Sequence, residues 1–114
     1  MSEKRRDLDF LDDIKEAIER VDAYIKGFTF DEFLKDRKTQ DAVIRNFEIM
    51  GEAAKKISSP FKSKFPEIPW KKIAGLRDKF IHFYFGIDYG IVWNISRKEL
   101  PALLKQIKAI GHEH

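Results

Sequence analysis

The stretch Gly75-Leu76-Arg77-Asp78-Lys79-Phe80-Ile81-His82-Phe83-Tyr84 gathers the side chains best suited to chemistry on a phosphodiester. Arg77 carries a permanent, planar cation that can grip phosphate through two parallel N–H bonds. His82 has the one side-chain type that gives or takes a proton near neutral pH. The other two histidines, His112 and His114, stand in the final three residues, where chain ends usually fray. Tyr84 lies seven residues after Arg77, on about the same side of a helix, whereas His82 falls roughly 140° round from Arg77. A regular helix therefore does not bring Arg77 and His82 together. Either the helix distorts near its end or a second subunit completes the site. A plainer arrangement fits the same spacing: a histidine on the last carbonyls of its helix, an arginine in a surface ion pair and a half-buried tyrosine. One interior histidine without an i+4 partner makes no metal site. There is no phosphate-cradling glycine loop and no pair of catalytic carboxylates, so neither metal nor cofactor is expected.

These residues need helices to position them. Leu8, Leu11, Ile14, Ile18, Val21 and Ile25 recur at helical steps, which predicts a helix over 8–27, capped by Asp7 and stopped by Gly27. Thr29-Phe30-Asp31-Glu32 is a capping-box pattern opening a short helix from Phe30 to about Asp36. After a break at Lys38-Thr39-Gln40, a third helix is predicted from about Gln40 to Ile57, with Val43, Phe47, Met50, Ala54 and Ile57 as its stripe. Gly51, in its middle, costs about 1 kcal/mol against alanine. It is either a point of close helix packing or room for something else. Residues 58–69, with three prolines, read as a loop, and Pro69 as the first position of a fourth helix from Trp70 to about Phe85, ended by Gly86. Asp88 caps a further stretch through Ile95; Pro101 interrupts, and Leu100, Leu103, Leu104, Ile107 and Ile110 mark the last helix. No segment alternates with strand period. The expectation is one all-α domain over 1–114, an antiparallel bundle of four or five helices.

Charge and composition narrow the function. The 114 residues hold no cysteine, which excludes a disulfide scaffold or a cysteine-based zinc site and fits a cytoplasmic protein. No apolar run is long enough to cross a membrane, and MSEKRRDLD lacks the apolar core of a signal peptide. The net charge of +3 is unevenly spread. Residues 7–32 carry nine acids and three bases, whereas residues 54–79 carry eight bases and two acids. The basic segment is either a footprint for phosphate, through Lys55, Lys56, Lys62, Lys64, Lys71 and Lys72, or a solvated lysine face. Trp70 and Trp93 read as core or interface aromatics rather than base-stacking platforms.

Taken in order, Asp41-Ala42-Val43 with Arg45, Ile49-Met50-Gly51-Glu52-Ala53-Ala54, Pro69-Trp70, Arg77-Asp78 with His82 and Tyr84, Asp88 with Val92-Trp93, and Leu100-Pro101 with Leu103 resemble the HepT-like branch of the HEPN superfamily. The likeness covers nearly the whole chain, and its centre is R-x(4)-H-x-Y at Arg77, His82 and Tyr84. The common family form has Asn after the arginine; this chain has Asp78.

The resemblance implies a homodimeric helical bundle with the arginine and histidine facing a cleft between subunits. It implies a metal-independent RNA endonuclease, the toxin of a type II toxin–antitoxin pair. Arg77 and His82 would be catalytic, with products ending in 2′,3′-cyclic phosphate. It also implies silencing by an MntA-type nucleotidyltransferase antitoxin, which transfers AMP to Tyr84. Asp78 and Glu52 would support the site, Glu52 either facing Arg77 or lying at the surface. The alternative is a binding module, a non-catalytic partner of a nucleotidyltransferase that holds nucleotide or substrate in the same pocket.

Overall fold

The first helix, α1 (Asp7–Ile25), buries one face, Leu11, Ile14, Ala17, Ile18, Val21 and Ile25, each at most 3% exposed. Full burial of each large aliphatic side chain contributes about 1.5–3 kcal/mol. The computed structural model describes the backbone of residues 6–81 and 86–113 and the side chains of 6–79 and 86–110. Leu8, in the first turn of α1, stays at the surface, and Phe10 packs against the core instead. Arg6, not Asp7, occupies the cap: its N–H donates to Asp9 Oδ2 at 2.9 Å. Asp7 is drawn away because its carboxylate accepts the N–H and the hydroxyl of Ser58, both at 2.7 Å, which ties the start of α1 to the residue that caps the fourth helix. Gly27 follows the end of α1 with φ +80°, a conformation that costs glycine nothing.

The Thr29–Glu32 capping box opens α2 (Phe30–Lys35): Glu32 N–H donates to Thr29 Oγ1 at 3.1 Å, and Thr29 N–H to Glu32 Oε1 at 2.9 Å. The expected break at 38–40 is absent. Asp36 ends α2 and caps α3 (Arg37–Lys56), accepting Thr39 N–H at 3.0 Å. Gln40 closes the junction by donating its amide to the carbonyls of Phe33 and Leu34, at 2.9 and 3.1 Å, so the end of α2 is satisfied inside the protein. Val43, Phe47, Met50 and Ala54 are fully buried, as the stripe requires.

Residues 58–69 are not wholly a loop. Ser58 caps a short α4 (Ser59–Lys64), with Pro60 in the first turn, where its missing N–H is harmless. Phe61 and Phe65 anchor this segment, their tilted rings 5.2 Å apart, and Trp70 Nε1 donates to the carbonyls of Phe65 and Lys62. Pro69 lies just ahead of α5 (Trp70–Ile81), accepting the first helical bond from Ile73. Asp88 caps α6 (Tyr89–Asn94), accepting the N–H groups of Gly90 and Ile91 at 2.9 and 3.2 Å. Pro101 does not interrupt. The backbone passes from α6 through a π-turn (Ile95–Glu99) directly into α7 (Leu100–Glu113). Widening to i→i−5 bonds, such as Leu100 N–H to the Ile95 carbonyl, lets a proline follow without breaking the run.

The architecture is all-α, with no strand among the described residues. The central helix is α3. It packs against α1 and α5, while α7 closes onto α1. Helices α1 and α3 run antiparallel: Phe10, near the start of α1, lies beneath the ammonium of Lys56, the last residue of α3. Trp70 is buried in this core, and Trp93 packs on Phe33 at 5.2 Å with Arg97 over its ring. No described helix is long and apolar enough to cross a membrane.

Candidate active site

The site begins with a glycine. A Cβ on Gly51 would fall 2.6 Å from Arg77 Cβ, 2.7 Å from Arg77 N and 3.0 Å from the Ala74 carbonyl. Only glycine lets α3 and α5 approach this closely. The roughly 1 kcal/mol that glycine costs a helix interior is set against that contact. Of the two readings of Gly51, close helix packing is the one the structure shows.

The approach brings two neighbours of Gly51 onto two residues of α5. Glu52 Oε1 lies 2.9 Å from Arg77 Nε as an ion pair, and the buried Nε has no hydrogen-bond acceptor among the described residues. The Arg77 side chain nevertheless keeps 39% of its surface in solvent. Lys55 Nζ reaches both oxygens of Asp78, at 3.1 and 3.0 Å. Asp78 Oδ1 in turn lies 3.8 Å from Arg77 Nη1. Glu52 therefore faces Arg77, as one of its two readings required. His82 and Tyr84 lie outside the described residues.

The six lysines of the basic segment divide. Lys55 is held by Asp78, and Lys72 by Glu99 at 2.8 Å. Lys56 covers the Phe10 ring, its Nζ 5.9 Å from the centroid. Lys64 and Lys71 are exposed and Lys62 half-buried, with no ion pair to another described residue. Among the described residues no group of three or more His, Asp or Glu is placed to hold a metal ion.

Two hollows flank these groups. A polar cavity of about 260 Å³ between α1 and α3, lined by Phe10, Asp13, Arg45, Glu48 and Lys56, has Glu52 in its wall. A more apolar groove of about 480 Å³ runs along α5 against the π-turn and α7, past Ile73, Gly75, Leu76, Ile95, Leu100 and Leu103. Neither is legible in linear spacing, because each is built from helices far apart in the chain.

Comparison with known proteins bears on what this arrangement does. The profile of the ribonuclease HepT-like family matches residues 14–110. A provisionally named RNase of Methanocaldococcus jannaschii, MJ0127, is 50% identical over 101 residues, 89% of this chain and 84% of that protein. A provisionally named ribonuclease HepT of Thermococcus cleftensis is 48% identical, over 88% of this chain and 91% of its own. A provisionally named RNase of Caldanaerobacter subterraneus subsp. tengcongensis, TTE0752, is 44% identical, over 89% and 90%. No solved structure matches.

Proposed function

Because the chain belongs to the ribonuclease HepT-like family, we propose that it is an RNA-cleaving toxin of a toxin–antitoxin pair that cuts without metal, using Arg77 and His82. The observation that carries this reading is the seating of Arg77: packed against Gly51, paired with Glu52 and partly open to solvent.

RNA brings its own nucleophile, the 2′-hydroxyl, so the protein has only to move protons and stabilise charge. His82 takes the 2′-hydroxyl proton as the 2′-oxygen bonds to phosphorus, or gives a proton to the departing 5′-oxygen as the P–O5′ bond breaks. In a homodimer, two such imidazoles divide the roles. Arg77 stabilises the extra charge on the pentavalent phosphorus. The products carry a 2′,3′-cyclic phosphate and a 5′-hydroxyl. Lys56, Lys62, Lys64 and Lys71 add sequence-independent attraction for the backbone.

Silencing follows from the same geometry of charge. A nucleotidyltransferase antitoxin of the MntA type moves AMP from ATP to the Tyr84 hydroxyl, releasing pyrophosphate. The new phosphodiester carries a negative charge close in sequence to Arg77 and competes with RNA for it. The absence of cysteine agrees with a cytoplasmic setting.

The test is incubation of the full chain with RNA in EDTA, followed by analysis of the product ends. Cyclic-phosphate and 5′-hydroxyl ends support the nuclease. Intact RNA together with bound ATP or AMP would instead make the protein the binding module of a nucleotidyltransferase. Mass spectrometry of Tyr84 after exposure to the antitoxin and ATP tests the silencing step.

A further inference from the structure

Arg77 faces two carboxylates. Glu52 lies 2.9 Å from its Nε, and Asp78, the next residue, 3.8 Å from its Nη1. A guanidinium flanked by two negative charges is a poor place to bring a third, and a phosphodiester is a third. The structure contains a counterweight, Lys55, one helical turn after Gly51-Glu52 on α3. It spans to α5 and lies within hydrogen-bond distance of both Asp78 oxygens, at 3.1 and 3.0 Å. Lys55 thus brings a positive charge to the carboxylate that stands beside Arg77.

We propose that Lys55 is a positioning residue that neutralises the Asp78 carboxylate beside Arg77, so that the guanidinium is left for an RNA phosphate. The proposal rests on the reading of Arg77 as a phosphate-binding group. It gives Lys55 a role different from that of a direct phosphate ligand, because its ammonium is already engaged by both oxygens of one carboxylate. It also accounts for how this site accommodates a charged residue directly after its arginine. Both partners are about half exposed, at 41% and 50% of their side-chain surface, so the effect is electrostatic steering rather than a large share of the folding energy.

The roles separate in a double-mutant cycle on the full chain. Binding is read by fluorescence anisotropy with a labelled 2′-O-methyl RNA oligomer, whose blocked nucleophile prevents cleavage, and kcat and KM are read on the matching unmodified RNA. Lys55→Met should weaken binding and raise KM by about fivefold, with kcat little changed, the size expected of one exposed charge pair. Asp78→Asn should bind at least as tightly as the parent. Lys55→Met with Asp78→Asn should recover to within about twofold of the parent, since a neutral amide needs no counter-charge; Lys55→Arg should bind like the parent. Thermal unfolding of every variant should stay close to the parent, so that a change in binding is not a loss of fold.

If the double variant is no better than Lys55→Met, Lys55 grips phosphate itself and the proposal is wrong. Parental binding by Lys55→Met overturns it too. Arg77→Ala is the control on the underlying reading. If that variant binds and cuts like the parent, both fall. If it fails while the double variant shows no recovery, only the role given to Lys55 falls.

Discussion

At the scale of single residues, the proposed chemistry depends on how Arg77 is held. The Gly51-Glu52 dipeptide and Arg77 were both visible in the sequence, and their meeting was one of two readings of Glu52. The Lys55–Asp78 pair was not visible. Lys55 read as one of six alike lysines, and nothing in a 23-residue separation marks it as the one that crosses to Asp78. Long flexible side chains take partners from the fold, and spacing along the chain does not encode them. The Glu52–Arg77 pair is 43% and 39% exposed, so its contribution to stability is at most about 1 kcal/mol. Glu52→Gln should therefore leave thermal unfolding almost unchanged while lowering kcat/KM for RNA about fivefold, because the guanidinium loses the charge that orients it. A fall in melting temperature with unchanged kcat/KM would assign Glu52 to stability instead.

At the scale of elements, two glycines of similar appearance make opposite predictions. Gly51 has backbone and Cβ atoms of α5 within 2.6–3.0 Å of where a Cβ would stand, whereas nothing lies within 4 Å of one at Gly75. Gly51→Ala should push α5 off α3, costing about 1–3 kcal/mol in urea unfolding and disturbing Arg77 with it. Gly75→Ala, inside the same helix as Arg77, should be neutral or stabilising by up to about 1 kcal/mol. Equal behaviour of the two variants would mean that the close approach does not bear on stability. The elements themselves were legible wherever apolar period and caps agreed, as in α1, α2 and the stripe of α3. Proline reads as a stop in the sequence at two places where the fold admits it. Pro60 sits in the first turn of α4, and Pro101 follows a π-turn that widens to admit it. Both are cases in which local backbone geometry absorbs the missing N–H, a solution that composition alone does not reveal.

At the scale of the whole molecule, the basic segment is a weaker electrostatic surface than its count of lysines suggests. Lys55 and Lys72 are paired with carboxylates. Counting Arg77 with Lys56, Lys62, Lys64 and Lys71, the affinity for single-stranded RNA should fall with salt with a log–log slope of about −3.5 per protomer, near 0.7 per cation. A slope near −5 would mean that the paired lysines also contact phosphate. An apolar groove runs along α5, the helix that carries Arg77, and the proposed homodimer is open to direct measurement. Sedimentation should give twice the 13.4 kDa of one chain. A strictly monomeric protein that still cleaves RNA would show that one chain completes the site alone. The all-α architecture is legible in the sequence because four long amphipathic runs leave no strand-period segment to compete with them.

The central claim is that Arg77 and His82 act together on one phosphodiester. Single-turnover cleavage of RNA in EDTA by the parent, Arg77→Ala, His82→Ala and the double variant tests it most directly. Groups that act as a unit are strongly non-additive. Each single variant should lose at least about a hundredfold in rate, the scale of removing a charge-stabilising or proton-transferring group, and the double variant should be about as slow as the slower single one. Near-parental cleavage by either single variant, or losses that multiply in the double variant, would contradict the account.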